Sequence, residues 1–265
     1  MKRLFVMSDL HGQFVLLQLM LEKIGFTDDD ELFILGDIMD RGPNSIDIYY
    51  FVQSMPNIHM LRGNHEIMMV QSLQKAIELK DLDSVRNNAY RLWKTNGGAK
   101  TVESIREYLQ KDAIPYEEYI ENRTLFVQEI IDFINSLPSY YEFDYLGKHY
   151  VLVHAGVDPE AETMDDMDPE LMSWIREYFY LSECNPDYTY IFGHTPLCFI
   201  NNDRSFNIWY DPDYHNKIGI DGGLAVADKG QLNCLCLTDG QEYAIPYKEG
   251  QAESIMERLG ITSWL

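Results

Sequence analysis

The chain has 265 residues, 21 Lys and Arg against 43 Asp and Glu, and a formal charge of −22. With 46% apolar and 24% charged residues it has the composition of a globular protein, long enough for one α/β domain to bury a large core. Such acidity disfavours a nucleic-acid binder, which needs clustered Lys and Arg, and disfavours adhesion to an anionic membrane.

Lys2 and Arg3 imitate the start of an export signal, but Leu4–Met7 runs at once into Ser8 and Asp9, too short for the apolar segment of one. No run reaches the length of a membrane span. Arg3–Met7 reads as a strand, Phe14–Ile24 as an apolar helix closed by Gly25, Glu31–Leu35 as a strand, Ile46–Met55 as a helix and Ile58–Leu61 as a third strand. This alternation implies βαβ units and a parallel sheet covered on both faces. Residues 67 to 136 carry helical periodicity and many charges, broken by Asn96-Gly97-Gly98 and Pro115, and predict a helical insertion within a single domain over 1–265. Beyond Pro138 the pattern turns to β. Tyr140–Tyr145 and Lys148–Val153 flank Leu146-Gly147 as a hairpin, and Tyr190–Phe192 and Lys217–Ile220 are further strands. Leu232–Leu237 and Glu242–Tyr247 flank the strong turn signal Asp239-Gly240. Cys234 and Cys236 alternate on that run and read as two small buried hydrophobes on one side, not as half of a zinc site. Four cysteines (with Cys184 and Cys198) suggest a reducing compartment, so a cytoplasmic location is expected. Gln251–Leu265 reads as a short amphipathic helix or cap.

Each apolar strand ends in a small polar cluster: Ser8-Asp9-Leu10-His11-Gly12, Gly36-Asp37-Ile38-Met39-Asp40-Arg41-Gly42 and Arg62-Gly63-Asn64-His65-Glu66. Later strands end in His154-Ala155-Gly156 and Gly193-His194-Thr195. In open α/β sheets the carboxyl ends of neighbouring strands converge on one crevice, so clusters scattered from residue 9 to 194 meet. Carboxylate, imidazole and amide oxygen suit a pair of divalent ions such as Mn, Fe or Zn. Asp9 and His11, two apart in an extended segment, can share one ion. Asp37 can bridge two, and Asn64, His154 and His194 can complete the shell of the second ion. Singly, each cluster has an ordinary explanation: a helix cap for Asp9-x-His11, a surface ion pair for Asp40-Arg41, a turn for Asn64-His65, a satisfied imidazole for His154. In order, each after its own strand, they have none.

The first three clusters resemble the GDxHG, GDxxDRG and GNHE signatures of the calcineurin-like metallophosphoesterases, specifically the phosphoprotein phosphatases. His154-Ala155-Gly156 and Gly193-His194-Thr195-Pro196 resemble that family's later histidine motifs. Trp93-Lys94-Thr95-Asn96-Gly97-Gly98 and Trp174-Ile175-Arg176-Glu177 look like the bacterial and phage members. Ser8 replaces a glycine of the first motif and Met39 stands where valine is common; neither is expected to touch a ligand. The resemblance implies a two-sheet sandwich flanked by helices (α/β/β/α), with the helical insertion after the third strand. It implies Asp9, His11 and Asp37 on one metal, and Asp37, Asn64, His154 and His194 on the other, Mn²⁺ being the family expectation with Fe or Zn as alternatives. His65 would be the general acid, oriented by Asp40, while Arg41, Arg62 and Arg176 grip the phosphate and Asn64 touches it.

These residues imply phosphomonoester hydrolysis by direct transfer to a metal-activated hydroxide. Two metals neutralise the ester and lower the pKa of water, planar guanidinium forks match phosphate oxygens, and an imidazole protonates the departing alkoxide. The leading expectation is a serine/threonine protein phosphatase acting on phosphoproteins or small phosphoesters. A symmetrical dinucleoside tetraphosphate hydrolase on the same fold is the alternative, and a non-catalytic binding module is a third. Glu66, where the tetraphosphatases often carry Asp, leans toward the phosphatase. Residues 158–187 hold ten acids and one base, read as a solvated face. His59, His149 and His215 receive no role, and Thr27-Asp28-Asp29-Asp30 reads as a loop rather than a third metal site.

Overall fold

A computed structural model of the chain describes residues 2–78, 88–110, 113–161, 163–224 and 229–248. The first sheet is built on β1 (Leu4–Met7), β2 (Glu31–Ile34) and β3 (Ile58–Met60), all parallel and joined through α1 (Phe14–Ile24) and α2 (Ser45–Ser54). Gly25, left-handed at φ 58°, ends α1 by returning its N–H to Glu22, and Phe26 returns its own to Leu21, so the last carbonyls stay satisfied. β9 (Gln231–Cys236) adds to β1 antiparallel, and β10 (Glu242–Pro246) closes that edge across the Asp239-Gly240 turn.

The second sheet runs β4-β5-β6-β8-β7, with parallel β5 (Lys148–Val153), β6 (Tyr188–Phe192) and β8 (Lys217–Gly219) at its centre. β4 (Tyr140–Tyr145) pairs with β5 antiparallel through the Leu146-Gly147 turn, and β7 (Trp209–Tyr210) pairs with β8. Two residues are too short a run for periodicity to reveal, so β7 had no sequence signal.

Side-chain alternation sorts the core into three layers. Phe5, Met7, Leu32, Ile34, Ile58, Met60, Cys234 and Cys236 face the helices, so both cysteines are small buried hydrophobes on one side, as expected. Leu4, Val6, Phe33, Leu35 and Leu61 face the other way, onto Tyr150, Leu152 and Ile191 of the second sheet. Val151, Val153, Tyr190 and Phe192 point outward beneath Met164, Met172, Ile175 and Phe179 of the segment after β5. The order is therefore helices, sheet, sheet and a covering layer. The first sheet is covered on both faces, but by helices on one and by a second sheet on the other, and antiparallel edges make both sheets mixed. Leu17 and Met20 of α1 and Val127 and Ile130 of α6 (Tyr116–Ser136) are almost fully buried; each such side chain contributes roughly 1.5–3 kcal/mol.

Between β3 and β4 the described chain is helical: α3 (Asn64–Glu78), α4 (Asn88–Trp93), α5 (Ala99–Tyr108) and α6, with a π-turn over Lys94–Gly98. Helix α3 starts earlier than the periodicity suggested, at the Asn64-His65-Glu66 cluster itself. No described helix is long and apolar enough to cross a membrane. The expected C-terminal helix or cap at 251–265 lies outside the described residues.

Candidate functional site

The carboxyl ends of both sheets converge. Asp9, Asp37 and Asn64 come from the first sheet, His154 and His194 from the second, and the site closes across the sandwich. The His194 N–H donates to Asp9 Oδ2 (2.9 Å), and His154 Nδ1 lies 2.6 Å from the Leu35 carbonyl. The backbone is bent hard to achieve this. Among the described residues ten non-glycines have positive φ, and six of them are Asp9, His11, Asp37, Asp40, Arg41 and His194. Each such residue costs on the order of 1–3 kcal/mol, and short polar side chains tolerate it best. Two glycines let the clusters touch: a Cβ at Gly63 would collide with Asp37 Oδ1, and one at Gly193 with Ser8 Oγ and Asp9 Oδ2.

Asp37 stands between two groups of donor atoms. Its Oδ1 lies 3.5 Å from His154 Nε2, while Oδ2 lies 3.9 Å from His11 Nε2 and 4.0 Å from His65 Nε2. The ligand atoms of Asp37, His154 and His194 all fall within 4.8 Å of one another, and so do those of His11, Asp37 and His65. Asn64 Oδ1 joins the first group, 3.0 Å from His154 Nε2 and 2.9 Å from His194 Nδ1. Asp9 lines the same cleft but enters neither group at that distance. Its Oδ2 also accepts the Ser8 hydroxyl, so the serine that replaces the motif glycine does touch a candidate ligand, contrary to expectation. Met39 serves the site through its backbone, its carbonyl lying 3.0 Å from His11 Nδ1, while its side chain is buried in the core.

His65 and Asp40 form a buried pair, Nδ1 to Oδ2 at 2.7 Å, and His65 Nε2 is left facing the cleft. Burial pushes the Asp40 carboxyl up to about 7, against hydrogen bonds from Thr101 and Trp93 that favour its charge. Those two partners were not assigned from the sequence. Glu66 is fully buried and accepts four backbone N–H groups, from Asp37 and Gly63 through Oε2 and from Ile38 and Met39 through Oε1. It rivets two clusters together, and this scaffold role accounts for it without any reference to substrate.

Arg41, from the loop after β2, and Arg176, from the segment after β5, both line a cleft of about 590 Å³. Arg41 Nη1 lies 2.8 Å from His11 Nε2, and Arg176 Nη1 donates to the His194 carbonyl and Thr195 Oγ1, both at 3.3 Å. Arg62 is not among the residues lining it. Leu61 packs between the sheets, and Arg62 lines a separate pocket of about 360 Å³ with Gln71 and Gln74 of α3 and with Asp168 and Glu170. Asp221, also overlooked, lines the main cleft with its carboxylate 3% exposed. It follows a strand and precedes two glycines, the same signal that marked the other clusters.

Burial, and then Glu66 and Asp9, hold the Asp37 carboxyl well above its ordinary range; burial and Asp9 do the same to Asp221. Burial and neighbouring positive groups push His11 and His65 well below the usual imidazole value. Burial disfavours the charged form of both residue types, which leaves buried carboxylates and neutral imidazoles facing one cleft. A carbonyl only accepts, so His154 Nδ1 donates its proton toward Leu35, while Nε2 lies 3.0 Å from the Asn64 oxygen. His11 repeats it: Nδ1–H serves Met39, and the bare Nε2 takes the guanidinium of Arg41 as its cation. Carboxylates and neutral imidazoles are the donor set of hard-to-borderline divalent ions, so the residues fit metal binding.

The calcineurin-like phosphoesterase family signature matches residues 2–226. Among curated relatives, the symmetrical bis(5'-nucleosyl)-tetraphosphatase of Glaesserella parasuis is 28% identical over 160 residues, which are 59% of this chain and 45% of that protein. The chain spans less than half the length of the curated tetraphosphatases it matches. A crystal structure described as a candidate diadenosine tetraphosphatase superposes with a TM-score of 0.61 at 16% identity, covering 94% of this chain and 95% of that one. A protein serine/threonine phosphatase from Saccharomyces cerevisiae superposes at 0.52 and 13% identity, covering 93% and 80%. At these identities the two structures speak for the fold alone.

Proposed function

Because the chain belongs to the calcineurin-like phosphoesterase family, we propose that its cleft hydrolyses dinucleoside polyphosphates, with symmetrical tetraphosphates the first substrates to test. The observation that carries this reading is that two guanidinium groups, Arg41 and Arg176, line one cleft together with the candidate ligands, which suits a chain of several phosphates. The tetraphosphatase relatives support it over the protein-phosphatase reading that leads from the sequence. Glu66 no longer weighs against it, since its carboxylate is spent on backbone N–H groups.

Asp9, His11, Asp37, Asn64, His154 and His194 would hold two divalent cations, Mn²⁺ by family expectation with Fe or Zn as alternatives. When bound they supply Lewis-acid polarisation of the phosphoryl group and a water acidic enough to ionise near neutral pH. Arg176 and Arg41, both lining the cleft, would neutralise the phosphate oxygens. Asp40 would hold one proton on His65 Nδ1 and keep the ring still, and in the imidazolium form, the second proton taken from solvent, Nε2–H can be delivered to the leaving oxygen.

That same acid pair favours a second reading. Proton donation matters most when the departing oxygen is a basic alkoxide, as in phosphoserine or phosphothreonine. An activity panel with Mn²⁺ decides between the two. The proposal predicts higher kcat/KM on diadenosine tetraphosphate than on phosphoserine, phosphothreonine or phosphotyrosine peptides. Higher values on the peptides would overturn it in favour of the phosphatase, and no turnover of any of them would overturn both.

A further inference from the structure

Asp40 is held by more than His65. Its carboxylate is completely buried, and Trp93 Nε1 lies 2.9 Å from each of its oxygens. Thr101 Oγ1 donates to Oδ1 at 2.6 Å and accepts the Asp40 backbone N–H at 2.9 Å. Both partners are themselves 0% exposed. They come from one short segment more than fifty residues away in sequence: Trp93 ends α4, the π-turn Lys94–Gly98 follows, and Thr101 lies in the first turn of α5. The turn between them grips the next residue. Arg41 donates its backbone N–H to the Gly97 carbonyl at 3.2 Å and its Nε–H to the Asn96 carbonyl at 3.3 Å. Gly97 lies at φ 106°, and a Cβ there would collide with the Arg41 side chain.

We infer that Trp93 and Thr101 are positioning residues of the proton-donating pair, orienting the Asp40 carboxylate so that His65 presents Nε2 to the cleft. The inference rests on the reading of His65 as the acid. A carboxylate can rotate about its last bond, and one oxygen tied only to an imidazole would do so. Here the indole N–H spans both oxygens and the hydroxyl fixes Oδ1 while also binding the backbone of the same residue, which leaves Oδ2 one direction in which to receive His65 Nδ1–H. Both donors are anchored in the core rather than in solvent, so they lose little freedom in holding it. The helical segment after α3 thus contributes to the chemistry through Asp40, and through Arg41 to the phosphate clamp.

The test uses the full chain loaded with Mn²⁺ and compares an alkyl phosphate with p-nitrophenyl phosphate, whose leaving group needs little protonation. Thr101→Val, nearly isosteric, should lower kcat on the alkyl ester by about 10–100-fold, the usual reach of residues that orient a reactive group, with KM little changed and a much smaller loss on the nitrophenyl ester. Thr101→Ser, which keeps the hydroxyl, should restore the wild-type ratio of the two substrates. Trp93→Phe keeps the ring and loses the N–H, and should repeat the Val result even if Thr101→Val folds poorly. In a His65→Asn background neither change should cost anything further, because residues acting as one unit are not additive. Equal losses on both substrates, or full additivity with His65→Asn, would overturn the positioning role while leaving the acid in place. A His65→Asn variant that itself shows no leaving-group preference would overturn the acid, and this inference with it.

Discussion

The two ends of the first sheet handle the same residue type in opposite ways. At the amino end Arg3 meets Asp30 with two hydrogen bonds, Nε to Oδ1 at 2.9 Å and Nη2 to Oδ2 at 2.6 Å, and the Thr27 backbone and hydroxyl donate to the same carboxylate. Asn57 caps the arrangement by donating to the Asp30 and Thr27 carbonyls. The Arg3 guanidinium accordingly holds Asp30 below the usual carboxylate range. At the carboxyl end Asp37 and Asp221 are buried as deeply, next to other acids, and are pushed above that range. Strained φ values gather at this end and not at the other. A buried aspartate matched by its neighbours is a fastener; one buried beside other acids is a candidate for function.

The comparison breaks most visibly at Asp37. Asp37→Asn is expected to remove metal and turnover together, a loss beyond the roughly 10²–10⁴-fold that one acid–base group supplies. Metal analysis beside kinetics checks it, and a variant that keeps two ions and near-normal turnover would show that Asp37 does not bridge. Next comes His65→Asn, expected to retain both ions yet slow an alkyl phosphate by about 10²–10⁴-fold and p-nitrophenyl phosphate less. Loss of an ion instead would make His65 a ligand, as its distance to His11 and Asp37 allows.

Smaller, and a test of where the clamp lies, is the contrast between two arginines. Arg176→Ala should cost on the order of 2–5 kcal/mol in kcat/KM and weaken inhibition by free phosphate. Arg62→Ala, whose side chain lies outside the cleft, should cost less than about 0.5 kcal/mol, and an equal loss would return Arg62 to the clamp. Smallest in activity, but readable in stability, is Asp30→Asn. It should leave turnover intact and lower unfolding free energy by about 1–3 kcal/mol at neutral pH. Because Asp30 has a depressed folded pKa, its contribution is full above the unfolded value of roughly 4 and fades as pH falls through the folded one, so denaturant curves of variant and wild type should converge in acid. A gap that persisted in acid would mean that packing, not charge, holds that end.

Much of this arrangement is legible in the residues themselves. Helix α1 runs over Phe14–Ile24 as its apolar stripe and Gly25 suggest, and both hairpin turns fall where Leu146-Gly147 and Asp239-Gly240 put them. The five clusters meet because each interrupts an apolar strand at its carboxyl end, a signal that survives any loop length. Asp221 carried the same mark and was readable. What was not legible depends on distances in space. Periodicity cannot say that the later strands form a second sheet packed face to face on the first, because an inner face and a helix-covered face demand the same apolar alternation. It cannot tie Trp93 and Thr101 to Asp40 across more than fifty residues. Nor does a motif say which pocket Arg62 lines. The sequence also leaves open what Glu66 holds; its partners in the structure are all backbone N–H groups.

The central claim is that the carboxyl end of the sandwich, unlike the amino end, is completed by two cations side by side. The most direct measurement is electron paramagnetic resonance during titration of the metal-free protein with Mn²⁺. The account predicts two ions bound per chain, with the spectrum of a spin-coupled pair in the wild type and loss of that coupling in Asp37→Asn. A wild-type spectrum of isolated Mn²⁺ at every loading, or binding that saturates at one ion, would contradict it.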